Sequence, residues 1–364
     1  MVDFISKIIE ALEKHKQEKH EFGHPRENVV ERMKDKHKDG YDESLDAYTS
    51  RIPVELKDMI FDNPFMSNMI VEYVKTNNLV YKIYKKDNIT IHLWYDGKTH
   101  KPTTELLNKM LMLCYAMRSL SSSDSKIVIR FVYTPFKKEY PPKGQPITQD
   151  NVNTGSALSG EFINLWRSEE ILKVLIHELV HYLNLDVPHE YNNKLLDYYS
   201  KFTSLDGFDS PCEAYTELIA VLVHSIFICL EKGKKTKEDI KNCIEDEIQF
   251  TLLQMAKILS HFDIESFDGV FGNKKGNKIK QTTSVLSYYI VKGAMLYNLN
   301  DSLEYLNKYF GNFDLDEYIK LLNKSLNNEL MKNDVKKRIM DVERENIDYK
   351  TLRMTFRNHN KLDH

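Results

Sequence analysis

Residues 174–186, VLIHELVHYLNLD, constrain this chain more than any other stretch. His177, Glu178 and His181 stand there in the order H-E-x-x-H. On a helix, positions i and i+4 lie about 40° apart, so both imidazoles leave the same side. Held that way they can grip one tetrahedral metal, with Glu178, about 100° round, in reach of a water at that metal. Leu172, Leu175, Ile176, Leu179, Val180 and Leu183 take the opposite side and anchor the helix. The competing reading is a buried helix that spells the motif by chance, on the order of a few per cent for this content of His and Glu. A third ligand decides between them.

One is at hand downstream. The stretch DSPCEAYTELIAVLVHSIF reads as a helix that starts near Ser210 and Pro211, with Glu213 and Glu217 on one face. Two acids four apart on an otherwise apolar helix are costly to bury without a cation. The alternative is a surface pair that repels. With a metal present, one Glu is a ligand and the other accepts the N–H of a ligand histidine. Tyr288 and Tyr289, in TTSVLSYYIVKGAMLY, are candidates for an oxyanion donor, with two aromatic core residues as the plainer reading. His224 and His261 read as core histidines, and Cys212 as a buried structural thiol.

The order of elements frames the motif. Residues 2–18 fit an amphipathic helix, followed by a charged linker or helical arm over residues 18–40. His15, His20, His24 and His37 lie there and read as titratable surface histidines, a metal-storage role being the other reading. A helix is expected over 64–77, then a hairpin around Lys86-Asp87-Asn88, a long helix capped by Thr103 or Thr104, and a strand KIVIRFVYT. A Pro/Gly-rich loop leads to the strand EFINLWR, and Ser168 reads as the cap of the motif helix with Glu169 and Glu170 in its first turn. From Tyr191 onward the pattern is almost wholly helical, ending in a basic tail, KTLRMTFRNHNKLDH, that reads as a solvated terminus.

H-E-x-x-H followed some thirty residues on by a helical Glu, with another acid four positions later, resembles the gluzincin branch of the zincin metallopeptidases. The resemblance implies an α+β, zincin-like fold: a small mixed sheet with the active-site helix, and a large, mainly helical lower part. It implies Zn²⁺, one per chain, held by His177, His181 and Glu213, with Glu217 orienting a histidine; the reverse assignment stays open, because this chain has Glu where several such families have Asp. It implies Glu178 as general base in peptide-bond hydrolysis, and an extended protein or peptide substrate on the edge strand, here Phe162, Ile163, Asn164 and Leu165. The combination VNTGSALSGEFINLWRSEEILKVLIHELVH with CEAYTE also looks like uncharacterised zinc-protein families of large DNA viruses. The rival functions are an inactive zincin-like binding or structural protein, and a zinc hydrolase that trims or modifies one specific protein.

Residues 1–50 are thus expected as an N-terminal helix and linker, 51–232 as the catalytic core, and 233–364 as a helical part that completes the cleft or forms an accessory lobe. Across 364 residues, 41% hydrophobic and 29% charged describe a soluble globular chain, and a net charge of −3 gives no basic field for nucleic acid. The longest apolar runs look too short for a membrane span, and Asp3, Lys7 and Glu10 spoil any signal peptide. Cys114, Cys212, Cys229 and Cys243 form no C-x-x-C pair, which with no secretion signal reads as reduced thiols in an intracellular protein.

Overall fold

The structure, a computed structural model, describes residues 3–18, 20–23, 25–29, 54–61, 63–200, 206–271, 277–345 and 350–356. His24 and His37 lie outside them. The apolar stripe near the N-terminus forms α1 (Phe4–Gln17), capped by Asp3, whose carboxylate accepts the Ser6 amide at 2.8 Å. The charged stretch after it, expected as linker or helical arm, instead contributes β1 (Arg26–Val29). This strand pairs antiparallel with β2 (Leu79–Lys86), after α2 (Val54–Phe61) and α3 (Asn68–Thr76). The expected hairpin forms from β2 and β3 (Ile89–Asp96), with Asp87 at φ 48° in its turn. The long helix follows as α4 (Thr104–Ser121), with Thr103 Oγ1 accepting the Leu106 amide.

β4 (Ile127–Tyr133) lies parallel to β3, and α4 is the crossover between them. The Pro/Gly-rich segment holds more than a loop. It forms α5 (Gln149–Val152) and β5 (Gly155–Leu158), which turns through Gly160 at φ 72° into β6 (Phe162–Leu165). The sheet order is β1-β2-β3-β4-β6-β5, with β4 and β6 parallel and β5 antiparallel to β6. This corrects the expected substrate strand. β6 is flanked on both sides, so its backbone groups are spent on the two ladders, and among the described residues β5 is the edge strand on that side.

Alternation sends residues to the two faces. Ile89, Ile91, Leu93, Ile127, Ile129 and Phe131 join the main core beneath the sheet. Trp94, Val132 and Trp166 turn to the other face, where Leu56 and Met59 of α2 and Ile70 and Val74 of α3 cover them. The motif helix is α6 (Ile171–Tyr182), and it starts two residues later than Ser168 would cap it. Glu170 takes a left-handed conformation, φ 55°, ahead of the helix, and the Ser168 hydroxyl meets His100 Nε2 at 3.1 Å.

The rest is helical apart from a short parallel pair, β7 (Asp206–Gly207) with β8 (Lys280–Gln281): α7 (Asn192–Ser200), α8 (Glu213–Glu231), α9 (Lys237–His261), a π-helical turn over Leu286–Val291, α10 (Lys292–Tyr297), α11 (Leu299–Tyr309), α12 (Leu315–Leu326) and α13 (Glu329–Glu345). With the six-stranded sheet this makes the chain α+β, as expected. Three other expectations change. Cys229 and Cys243 form a disulfide between α8 and α9. Helix α8 is long and apolar enough to cross a membrane, but 94% of its most apolar stretch is buried inside the fold. The tail is not solvated over Leu352 to Thr355: Leu352, Met354 and Thr355 are buried.

Candidate metal centre

α6 packs antiparallel on α8, so that Lys173 meets Glu217 while His181 meets Glu213. Three donor atoms converge between the helices. His177 Nε2 and His181 Nε2 are 3.2 Å apart, and Glu213 Oε2 lies 3.1 Å from the first and 3.3 Å from the second. Bonds of about 2.0–2.1 Å at tetrahedral angles would set ligand atoms roughly 3.3 Å apart. The triangle therefore has the size of a coordination shell, and the three residues form a group that could hold a metal ion.

The other ring nitrogens fix the tautomer. His177 Nδ1 meets Glu217 Oε2 at 2.8 Å, and His181 Nδ1 meets Asp186 Oδ2 at 2.6 Å. Each carboxylate accepts the Nδ1 proton, which leaves the Nε2 lone pair facing the centre. The acid pair left open by the sequence is thus separated: Glu213 points at the triangle, and Glu217 sits behind His177. Asp186 was missed. It lies beyond the end of α6, where helical periodicity stops, and Asn184 at φ 53° turns the chain so that Leu185 N–H donates back to the Val180 carbonyl. An Asn just past a helix end was the signal that could have placed it.

Electrostatics follow from burial and pairing. Burial alone would push the Glu213 carboxyl up, but the two imidazoles outweigh it and hold the acid well below its ordinary range. Glu217 is held low in the same way, against burial, by Lys173 and His177. Lys173 Nζ touches both oxygens of Glu217, at 2.7 and 2.9 Å. Behind it, Glu170 pairs with Lys138 at 2.9 Å and accepts the amides of Met354 and Thr355; against burial, Lys138, Lys173 and the Thr355 hydroxyl hold its carboxyl down at about 2. The C-terminal strap therefore closes the back of the centre.

Glu178 is different. Burial pushes its carboxyl above the ordinary range, with the imidazoles of His177 and His181 only partly opposing. It faces Gly155 on β5, where an added Cβ would stand 2.7 Å from Glu178 Oε1. Beside them lies a cavity of about 30 Å³, room for roughly two waters, lined also by Thr154, Tyr288 and Met354. The ring of Tyr288 lies 6.0 Å from that of His177, and burial, then the site's carboxylates, keep the phenol protonated well above its usual range. It stands on the π-helical turn, the kind of distortion that re-aims side chains. Tyr289 faces away, its hydroxyl donating to the Leu352 carbonyl. Of the four β6 residues, Ile163, Asn164 and Leu165 are buried, and Phe162 lies under the Arg130 guanidinium at 4.0 Å.

The chain matches no protein-family model. It is 26% identical over 198 residues to a protein of Acanthamoeba polyphaga mimivirus described as uncharacterized protein R210, a match that covers 50% of this chain and 48% of that one. The chain thus spans about half the length of the curated relative it matches. That relative is viral, as the sequence resemblance to proteins of large DNA viruses led one to expect.

Proposed function

We propose that the chain is a zinc-dependent metallopeptidase on a zincin-like scaffold, with Glu178 as general base. The observation that carries this reading is the triangle of His177 Nε2, His181 Nε2 and Glu213 Oε2, 3.1–3.3 Å on each side, next to a buried carboxyl in a water-sized cavity. Two imidazole nitrogens and one carboxylate oxygen suit zinc and leave a coordination position free. Zinc bound there would acidify a water and polarise the scissile carbonyl.

The remaining work falls to the chain's own groups. Glu178 takes the proton of the attacking water and passes it to the leaving amine; its raised pKa brings it nearer a neutral working pH. Tyr288 keeps its O–H and donates to the carbonyl oxygen as negative charge builds there. An extended peptide adds to the outer edge of β5, with its scissile bond carried past Gly155 toward Glu178. Glu217 and Asp186 hold the histidine rings in register throughout.

The test is zinc content and peptide cleavage for the full chain beside His177→Ala and Glu178→Gln. The expected result is one equivalent of zinc lost in His177→Ala but kept in Glu178→Gln, with cleavage lost in both. Cleavage that survives Glu178→Gln, or a full chain that cleaves no member of a mixed peptide library, overturns the reading.

A further inference from the structure

The geometry points to a second divalent-metal site, at the C-terminal end of α1, made by His15 Nδ1, Glu18 Oε2 and His20 Nε2. It stands apart from the centre between α6 and α8 and does not rest on the peptidase reading. The sequence pattern suggested solvated histidines here. Instead His15 is only 6% exposed, and the three donor atoms close a triangle. His15 Nδ1 lies 2.7 Å from Glu18 Oε2, His20 Nε2 lies 2.8 Å from the same oxygen, and the two nitrogens are 3.1 Å apart.

A purely hydrogen-bonded cluster fits these distances poorly. Glu18 could accept a proton from each ring, but two N–H groups would then crowd one side of one oxygen with their nitrogens almost as close to each other as to the acceptor. Nitrogen lone pairs turned toward a shared cation remove that conflict. The rings are also oriented from outside the cluster. His15 Nε2 meets Ser119 Oγ of α4 at 2.8 Å; with its proton donated there, the Nδ1 lone pair faces the triangle. The His20 ring stacks on Tyr115 of α4 at 4.0 Å, and Tyr115 donates its hydroxyl to Asp87 in the β2–β3 turn. Two donors are therefore set before any metal arrives.

Two imidazoles and a carboxylate favour a borderline cation such as Zn²⁺ over a hard one. The Glu18 side chain is 42% exposed, which gives the ion an entry path and water a place in its shell. The ion would fix the turn that follows α1, whose two rings rest on Ser119 and Tyr115 of α4.

Zinc is the probe. The metal-stripped full chain, His20→Ala, His177→Ala and the double variant are saturated with Zn²⁺, freed of excess and assayed for bound metal and thermal midpoint. Two equivalents in the wild type, one in each single variant and none in the double are expected, with zinc raising the midpoint of His177→Ala but not of the double. If His20→Ala folds poorly, Glu18→Gln, changed at the half-exposed corner, gives the same readout. A His177→Ala chain that binds no zinc, or a His20→Ala chain that keeps the wild-type stoichiometry, overturns the second site. Loss of one equivalent in His20→Ala with none lost in His177→Ala would instead remove the first centre and leave the second standing.

Discussion

Lys173 Nζ sits 2.7 and 2.9 Å from the two carboxylate oxygens of Glu217, and both side chains are almost fully buried. Glu217 in turn holds His177 Nδ1, so a lysine one turn before the motif sets the charge behind the candidate centre. Replacing one member of a buried pair leaves the other uncompensated, a cost of about 3–5 kcal/mol. Lys292 also lowers the Glu217 pKa, which puts Lys173→Met at about the lower end of that range.

The pH dependence of that variant has a definite sign. A carboxyl held low in the folded state contributes stability above its unfolded pKa and loses it as pH falls through the folded value. Without Lys173 the Glu217 folded value rises toward the ordinary one. Lys173→Met should therefore lose structure at a higher pH than the wild type during acid titration followed by circular dichroism. An unchanged acid midpoint, with unchanged denaturant stability at neutral pH, would show that the pair does not carry this role.

Gly155 offers a test that separates metal binding from chemistry. An alanine Cβ there would stand 2.7, 2.9 and 3.0 Å from Glu178 Oε1, Cγ and Cδ, so the carboxylate must leave its present position for the adjoining cavity. A displacement of about 1 Å in a reacting group can cost on the order of a hundredfold in rate. Gly155→Ala should keep zinc and lose turnover by roughly that factor, read as kcat in a peptide assay beside metal analysis. Full activity would mean that Glu178 does not act from this position.

The two tyrosines allow a paired measurement. Tyr288 lines the cavity, whereas the Tyr289 hydroxyl is tied to Leu352. Tyr288→Phe should lower kcat by about 10²–10³-fold, the usual loss for one oxyanion donor, with little change in stability. Tyr289→Phe should do the reverse: near-normal turnover, and about 1–3 kcal/mol lost from the unsatisfied Leu352 carbonyl. Equal kinetic effects would remove the assignment of Tyr288.

The candidate centre was legible wherever helical period governs. His177 and His181 share a face by their spacing, and Glu213 and Glu217 by theirs. Which acid faces the triangle depended on the antiparallel packing of α6 on α8, which sets Glu217 against Lys173 and Glu213 against His181. Spacing along one helix does not contain that. The edge strand was misplaced for a related reason: β6 precedes the motif helix in sequence, but lateral order in a sheet is set by pairing. Four residues, Gly155 to Leu158, carry too little alternation to announce a strand inside a Pro/Gly-rich run. Glu170 read as a first-turn acid favouring the helix dipole, yet it accepts the amides of Met354 and Thr355, 184 and 185 residues away, and no local signal reaches that far.

Acidification should release metal from the centre between α6 and α8. Burial works against charging His177 and His181, but Glu213 and Glu217 beside the first, and Glu213 and Asp186 beside the second, raise both imidazoles above the ordinary 6.5, the second well above. A metal entering the site must displace those protons, so its apparent affinity rises with pH until the rings would be neutral without it. With two protons displaced the affinity should climb by up to about a hundredfold per pH unit at the acid end, and by about tenfold where one is displaced. Chelator competition from about pH 6 to 8 on His20→Ala, which leaves the second site empty, isolates this slope. Asp186→Asn removes one of the carboxylates that raise His181, so its curve should flatten at a lower pH than that of the parent. Superimposable curves would show that Asp186 does not control the protonation of His181.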